Sequence, residues 1–244
     1  MDLGVWATWY DLDDAHKEAY LSWAHDVYLP YLRAMPGISW VAHYGHEGGG
    51  PQMKKLVKSV IGRTDADIGQ GTQFVILVGA ASPHTFFNPH IPDIVWPDGF
   101  DAMLARQRGR RAAILAEVHR LSGPDGETAT VGGPPGPYIQ MGSFCMSNEE
   151  KDFELGKWYA QHRLPYMAQM PGCIATRKYV GVAGWAKHAV MYEFTSAKAR
   201  LKQFEVKHET HNLDSEAWHT KVLPFTRHTP GSPTIGPRLW PPVD

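Results

Sequence analysis

The sequence predicts an α+β fold built from two copies of one β-α-β-β-α-β unit. Three observations carry this. Residues Trp23 to Gly37, "WAHDVYLPYLRAMPG", and Trp158 to Gly172, "WYAQHRLPYMAQMPG", align without a gap at seven identities in fifteen positions, at an offset of 135. The same order of apolar periods surrounds each copy, with Tyr44 and Tyr179 in register downstream. A Gly/Pro-rich run, "GGPPGP", Gly132 to Pro137, lies between them as a linker. The expected units are residues 1–131 and 138–244.

In the second half, "PYIQMGSFCM" reads as a strand with Ile139, Met141 and Phe144 among its apolar positions. Ser147 or Asn148 can cap the following helix, and Glu149 and Glu150 suit its positive end. Leu155, Trp158, Tyr159 and His162 fall at i, i+3, i+4 and i+7, one helical face. Pro165 lacks a donor and disfavours α geometry at Leu164, so a kink or restart is expected there before "MPG" turns the chain. "CIATRKYVGV" and "HAVMYEFT" read as a strand pair. Ser196 caps a second helix, "AKARLKQFEVKHE", and "HTKVLPFTRH" supplies a last strand. The Pro-rich end carries Ile235, Leu239 and Trp240 and reads as a packed, extended arm.

The first half follows suit: strand "VWATWY", a helix from Asp14 to about Tyr28, strand "ISWVAHYGH" and strand "TQFVILVGA". Period-two alternation puts Trp40, Ala42, Tyr44 and His46 on one face of its second strand and His43 on the other. A 25-residue insertion, "EGGGPQMKKLVKSVIGRTDADIGQG", precedes the third strand. An aromatic excursion, "SPHTFFNPHIPDIVWPDG", follows it and precedes a helix expected from about Phe100 to Leu121. That excursion holds Phe86, Phe87, Ile91, Ile94, Val95 and Trp96, too apolar for solvent, and is expected to fold over something as a lid or wall.

A helix reading W-x3-H-x-x-P, then "PG" and a strand with Tyr, resembles the dimeric α+β barrel superfamily, in particular its EthD-like branch. Trp158, His162, Pro165, Pro171 and Gly172 carry the match. The resemblance implies two ferredoxin-like βαββαβ repeats forming an intrachain dimeric α+β barrel, with helices outside. It covers the repeat cores and leaves out the insertion, the aromatic loop and the C-terminal arm. Members of the superfamily include cofactor-free isomerases, cyclases, dehydratases, decarboxylases and monooxygenases, as well as haem-binding peroxidases, chlorite-degrading enzymes and aldoxime dehydratases. Fold alone does not choose among these.

Thirteen histidines and 28 Phe, Trp and Tyr residues supply groups for proton transfer among apolar walls. His162, flanked on its face by Trp158 and Tyr166, is the first catalytic candidate; the plainer alternative is a packed histidine bonded to a carbonyl. The first copy has Val27 at that position, with His25, Asp26 and Tyr28 around it, so the halves are expected to have specialised, one holding a site and the other completing it. His25, His84 and His90 are further catalytic candidates. Trp158, Tyr159, Tyr166, Tyr28, Tyr44, His43, Phe87, Asn88 and Trp96 are candidates to line the substrate. Pro83, Pro89 and Pro92 stiffen the loop that holds His84, Asn88 and His90.

"HETH", His208 to His211, with His219 beyond it, lacks the i, i+4 spacing and placed Glu of a zinc helix, so no metal is expected. The basic runs "RQRGRR", Arg106 to Arg111, and "KKLVK" read as solvated helix faces, with arginine binding of an acidic substrate group as the alternative. No phosphate-binding loop or nucleophile elbow occurs. A net charge of −1 gives no reason to expect nucleic acid or membrane, and two cysteines, Cys145 and Cys173, fit a reducing cytoplasm. No basic leader followed by an apolar run opens the sequence.

The reading is therefore a cofactor-independent acid–base enzyme, of lyase, dehydratase, decarboxylase, isomerase or cyclase type, acting on a small aromatic or polyketide-like molecule. The alternatives are a haem-dependent lyase or peroxidase, a cofactor-free monooxygenase, and a non-catalytic binder of an apolar ligand. Association of two chains as a homodimer stays open.

Overall fold

The computed structural model describes residues 2–128, 132–209 and 222–243. Its strands are β1 (Gly4–Asp11), β2 (Ile38–Gly45), β3 (Gly62–Arg63), β4 (Phe74–Ala80), β5 (Arg108–Ser122), β6 (Tyr138–Met146), β7 (Cys173–Ala183), β8 (His188–Phe194), β9 (Thr226–His228) and β10 (Thr234–Trp240). They form one sheet in the order β10-β2-β4-β1-β5-β7-β8-β6-β9-β3, and β10 also pairs with β6. The first eight in that order therefore close into a barrel. Within it, β2-β4-β1-β5 and β7-β8-β6 are the antiparallel ferredoxin-like sheets of the two repeats, and β5 against β7 joins them.

The fourth strand of the second repeat is split. β9 lies along the far part of β6, where Phe144 faces His228, and then β10 takes over with Thr234 opposite Met141 and Pro237 opposite Tyr138. Beyond Pro237, which has no N–H to give, the strand changes partner and Arg238 pairs with Tyr44 of β2. Gly236 sits at this crossing, where a Cβ would lie 1.8 Å from the Gly45 oxygen. The Pro-rich end is thus a closing strand and not only a packed arm.

Side chains at alternate positions fill the barrel: Trp9, Trp40, Tyr44, Leu77, Met141 and Tyr179 are among them, all buried. Gly79 gives room for the Trp40 ring, whose Cε2 would lie 2.0 Å from a Cβ there. At one end, Asp2 accepts from Trp40 Nε1 (2.6 Å) and Arg177 Nη1 (2.9 Å), while Arg177 Nε donates to Glu193 (2.6 Å) and Arg120 pairs with Asp2 and Glu117. Neighbouring carboxylates hold the buried Arg177 guanidinium firmly charged.

Helices pack outside. Each repeat has a helix interrupted by a π turn: Asp14–Trp23, Ala24–Tyr28 and Leu29–Ala34 in the first, and Glu149–Trp158, Tyr159–Arg163 and Leu164–Met167 in the second. Pro30 and Pro165 fall at the start of the last α segment, so the helix restarts through the π turn. Asn148 Oδ1 accepts from Lys151 N and Ser196 Oγ from Ala199 N, which are the expected caps. No helix among the described residues is long and apolar enough to cross a membrane.

One expectation fails outright. Only Phe100–Leu104 is helical, and the run to Leu121 is the strand β5. Its Ala- and Leu-rich sequence favours a helix, but β1 and β7 flank it on both sides, and Gly109 at φ +55 lies in the irregularity near its start. The basic run Arg106 to Arg111 accordingly leads into a strand, and Arg111 is buried. The expected last strand "HTKVLPFTRH" is strand only at Thr226–His228, after a 3₁₀ turn at Leu223–Phe225; its first residues lie outside the described ones. The insertion forms a helix, Pro51–Ser59, and the short β3, which pairs parallel to β9.

If β10 closes the barrel, ending the chain after Pro233 should abolish a cooperative thermal transition. Ile235→Ala, at a site 1% exposed, should cost about 2–5 kcal/mol in urea unfolding. An unchanged melting curve in the shortened chain would refute the closure.

Candidate functional site

The two repeats treat the space between sheet and helices differently. In the second repeat a cleft remains, with an enclosed volume of about 60 Å³ and, counting its mouth toward solvent, about 550 Å³. Leu155, Phe144, Val190 and Tyr192 form apolar walls. Met53, Leu56 and Ile61, from the insertion of the first repeat, cover it. Four polar side chains converge there: Gln140, Arg163, Thr226 and His228.

The π turn determines which helix residue enters the cleft. A π turn holds more residues than an α turn and rotates whatever follows it. Across Tyr159–Arg163 this brings Tyr159 and Arg163 inward, both buried, and leaves His162 exposed. His162 therefore lies beside Trp158 and Tyr166 as expected, but exposed and not enclosed in an apolar site. It borders a separate, open groove with Trp158, Tyr166, Gln169 and Lys207. Arg163 forms the wall between groove and cleft.

Arg163 lies among aromatic faces, its Cζ 5.2 Å from the Trp158 ring centre, 5.1 Å from Tyr192 and 4.7 Å from Phe204. Its Nε donates to Tyr192 Oη at 2.9 Å. Such a guanidinium keeps its charge among the rings. His228 stacks on Phe144, and its Nδ1 lies 2.9 Å from Ser232 Oγ, which also accepts from Ser143 N at 2.9 Å. Burial, with Arg63 adding to it, pushes the His228 pKa down to about 3, so the ring is neutral. Ser232 fixes Nδ1 and leaves Nε2 as the nitrogen to meet a ligand.

In the first repeat the equivalent space is filled. Trp23, Tyr28, Tyr31, Trp96 and Phe100 pack ring on ring, with centroids 5.2–6.2 Å apart. The aromatic loop is thus a wall through Phe86 and Trp96, whereas His84, Phe87, Asn88 and His90 are exposed. His90 stacks on Phe87 and lies 3.5 Å from Asp93. Tyr44 is inside the barrel, bonded to the Pro135 and Gly136 carbonyls, away from either cleft.

His25 and His43, by contrast, meet. His25 Nε2 is 2.9 Å from His43 Nδ1, and His43 Nε2 is 2.9 Å from Tyr10 Oη. Tyr10 bonds to Tyr20, which accepts from Gln107 Nε2 at 2.7 Å. Burial, reinforced by His25, pushes His43 down to about 3 and also raises the Tyr10 phenol well above its usual range. The strand alternation placed His43 on the face opposite Tyr44; nothing in the sequence joined it to Tyr10.

Neither His228 nor Arg163 stood out in the sequence. His228 ends the three-residue strand β9, just before the chain breaks between the split strands. For Arg163 the signal was its pairing, in the repeat alignment, with the inward Tyr28. Among the described residues no three His, Cys, Asp or Glu side chains gather as a metal site; His211 and His219 lie outside the described residues.

No family model and no curated protein matches the chain. Its fold is similar to that of an anthrone oxidase-like protein (TM-score 0.55, 12% identity, covering 98% of this chain and 91% of that one). A candidate monooxygenase of Fusobacterium nucleatum gives TM-score 0.53 at 9% identity, covering 87% of each chain. A candidate chlorite dismutase gives 0.53 at 13%, covering 98% and 95%. At these identities the likeness is one of fold, the dimeric α+β barrel.

The two buried imidazoles generate a pH prediction. Each has a folded pKa of about 3 against an ordinary 6.5. The unfolded chain therefore binds their protons first, and stability present above about pH 6.5 drains as pH falls toward 3. The loss is about 1.4 kcal/mol per pH unit for each histidine. Urea unfolding between pH 6.5 and 4 should give a shallower dependence for His43→Phe than for the wild type; an identical slope would contradict the assignment.

Proposed function

We propose that this chain, a dimeric α+β barrel closed within one polypeptide, is an enzyme that moves a proton on a small aromatic molecule in the cleft of its second repeat. The observation that carries this reading is the convergence of a neutral imidazole, His228, and a ring-flanked guanidinium, Arg163, on one apolar cleft. Tyr159, Tyr192 and Phe144 supply flat walls for an aromatic ring.

In the tautomer that carries its proton on Nδ1, His228 donates to Ser232 Oγ and presents the Nε2 lone pair to the ligand. A C–H or O–H made acidic by a neighbouring carbonyl gives its proton to Nε2. The positive charge of Arg163, on the wall of the cleft, steadies the negative charge that develops on the ligand oxygen. The low pKa of His228 is no obstacle, because the anion formed beside the ring favours imidazolium. Return of the proton at another atom is isomerisation; departure of a group from the carbanion is a lyase step. Capture of the same carbanion by dioxygen would make the chemistry an oxygenation, and the anthrone oxidase-like name of one fold neighbour fits that outcome.

Exchange of the acidic hydrogens of anthrone and related hydroxylated aromatic ketones in D₂O, followed by NMR, tests the proton step whatever comes after it. His228→Ala and Arg163→Met should each slow exchange about 10²–10⁴-fold with the fold retained. An equal loss in His162→Ala, with His228→Ala fully active, would return the chemistry to the outer groove. Binding with no exchange would make the protein a carrier. Oxygen uptake with the same compounds separates isomerisation from oxygenation.

A further inference from the structure

The end of the barrel opposite the Asp2–Arg177 network holds a second cavity, separate from the cleft, of about 40 Å³. It is lined by Trp9, Arg111, Ser143, Trp185, Ala186 and Thr229, among others. Arg111 faces Trp9 across the β1–β5 pair, with its Cζ 4.9 Å from the centre of the Trp9 ring.

The hydrogen bonds of Arg111 are incomplete. Nη1 donates to the Gly69 and Gly71 carbonyls and Nη2 to the Pro230 carbonyl at 2.8 Å. Nε is buried and has no acceptor among the described residues. No carboxylate there forms an ion pair with the guanidinium. Asp11, which acts on it at longer range, spends one carboxylate oxygen on the backbone N–H groups of Thr72 and Gln73. Three carbonyls solvate the cation without neutralising it, and a buried charge with one unmet donor is costly. The residue is only 9% exposed.

We propose that this cavity binds a small monovalent anion, of the size of chloride or a formate-like carboxylate, against Arg111 Nε. The anion neutralises the guanidinium and accepts its remaining N–H. The Ser143 and Thr229 hydroxyls, 2.6 Å apart, give the polar wall, and Trp9 and Trp185 give the apolar one. The cavity exceeds what one water needs, so either anion fits. Burial lowers the Arg111 pKa to about 10, as expected of a cation still lacking its counter-charge.

Trp9 and Trp185 make the site self-reporting. Sodium chloride and sodium formate are titrated separately into the whole protein at constant ionic strength, with sodium gluconate as the balancing salt, following tryptophan emission and melting temperature. The expected result is a saturable emission change and a rise in melting temperature with at least one anion and neither with gluconate. Saturation by formate alone assigns the site to a carboxylate, and saturation by chloride a plain halide site. Ala186→Val, which narrows the cavity and keeps Arg111, should weaken binding about tenfold or more. Should that variant not fold, Arg111→Lys keeps the charge but not the Nε–H and should weaken it similarly. No saturation with either anion, or titrations unchanged in the folded variant, would overturn the proposal.

Discussion

Everything in this molecule rests on the double pairing of β10. A sheet that curls without closing leaves two rows of unpaired N–H and C=O groups, and water then reaches whatever lies between them. Residues 234–240 satisfy β6 first and β2 afterwards. That continuity keeps the interior dry enough for Trp9, Trp40 and Tyr179 to pack ring against chain, and it makes buried charge consequential. The two ends of the barrel answer that demand differently. One balances Arg177 and Arg120 against Asp2, Glu117 and Glu193, and the other surrounds Arg111 with carbonyls alone.

The same closure lets the repeats diverge outside the barrel. Both helices carry the π turn, and both turn one residue inward at the same aligned position, Tyr28 or Arg163. Tyr28 joins a stack that fills its cleft. Arg163 is held off by rings and leaves a cleft beside it. The insertion then reaches from the filled repeat across to the hollow one, with Glu205 accepting from Gly50 N at 2.8 Å and Met53 N at 3.2 Å. Structural support flows from one half to the other, and the polar groups of the cleft belong to the half supported.

Much of the architecture was legible in the residues. Repetition pointed to the repeated fold, alternation put His43 and Tyr44 on opposite faces, and Asn148 and Ser196 capped as their types suggest. Three physical effects lay beyond such reading. Strand β5 is a helix-forming sequence overridden by two flanking strands. The π turn adds a residue to the helical period, so a face counted at 3.6 per turn ends on His162 where the chain turns Arg163 in. The fourth strand of the second repeat is split between His228 and Thr234, across a Pro- and Gly-containing run that in isolation carries no strand pattern. His228 lies just upstream of that break, and no periodic pattern marks it.

Covalent fusion of the repeats has one more consequence. In a barrel assembled from two identical chains, symmetry writes each substitution into the structure twice, so a residue that hollows one cleft hollows both. Here a change enters once. Tyr at 28 and Arg at 163 could not coexist at one position of a symmetric pair; a single polypeptide lets one half specialise for rigidity while the other keeps space for a guest.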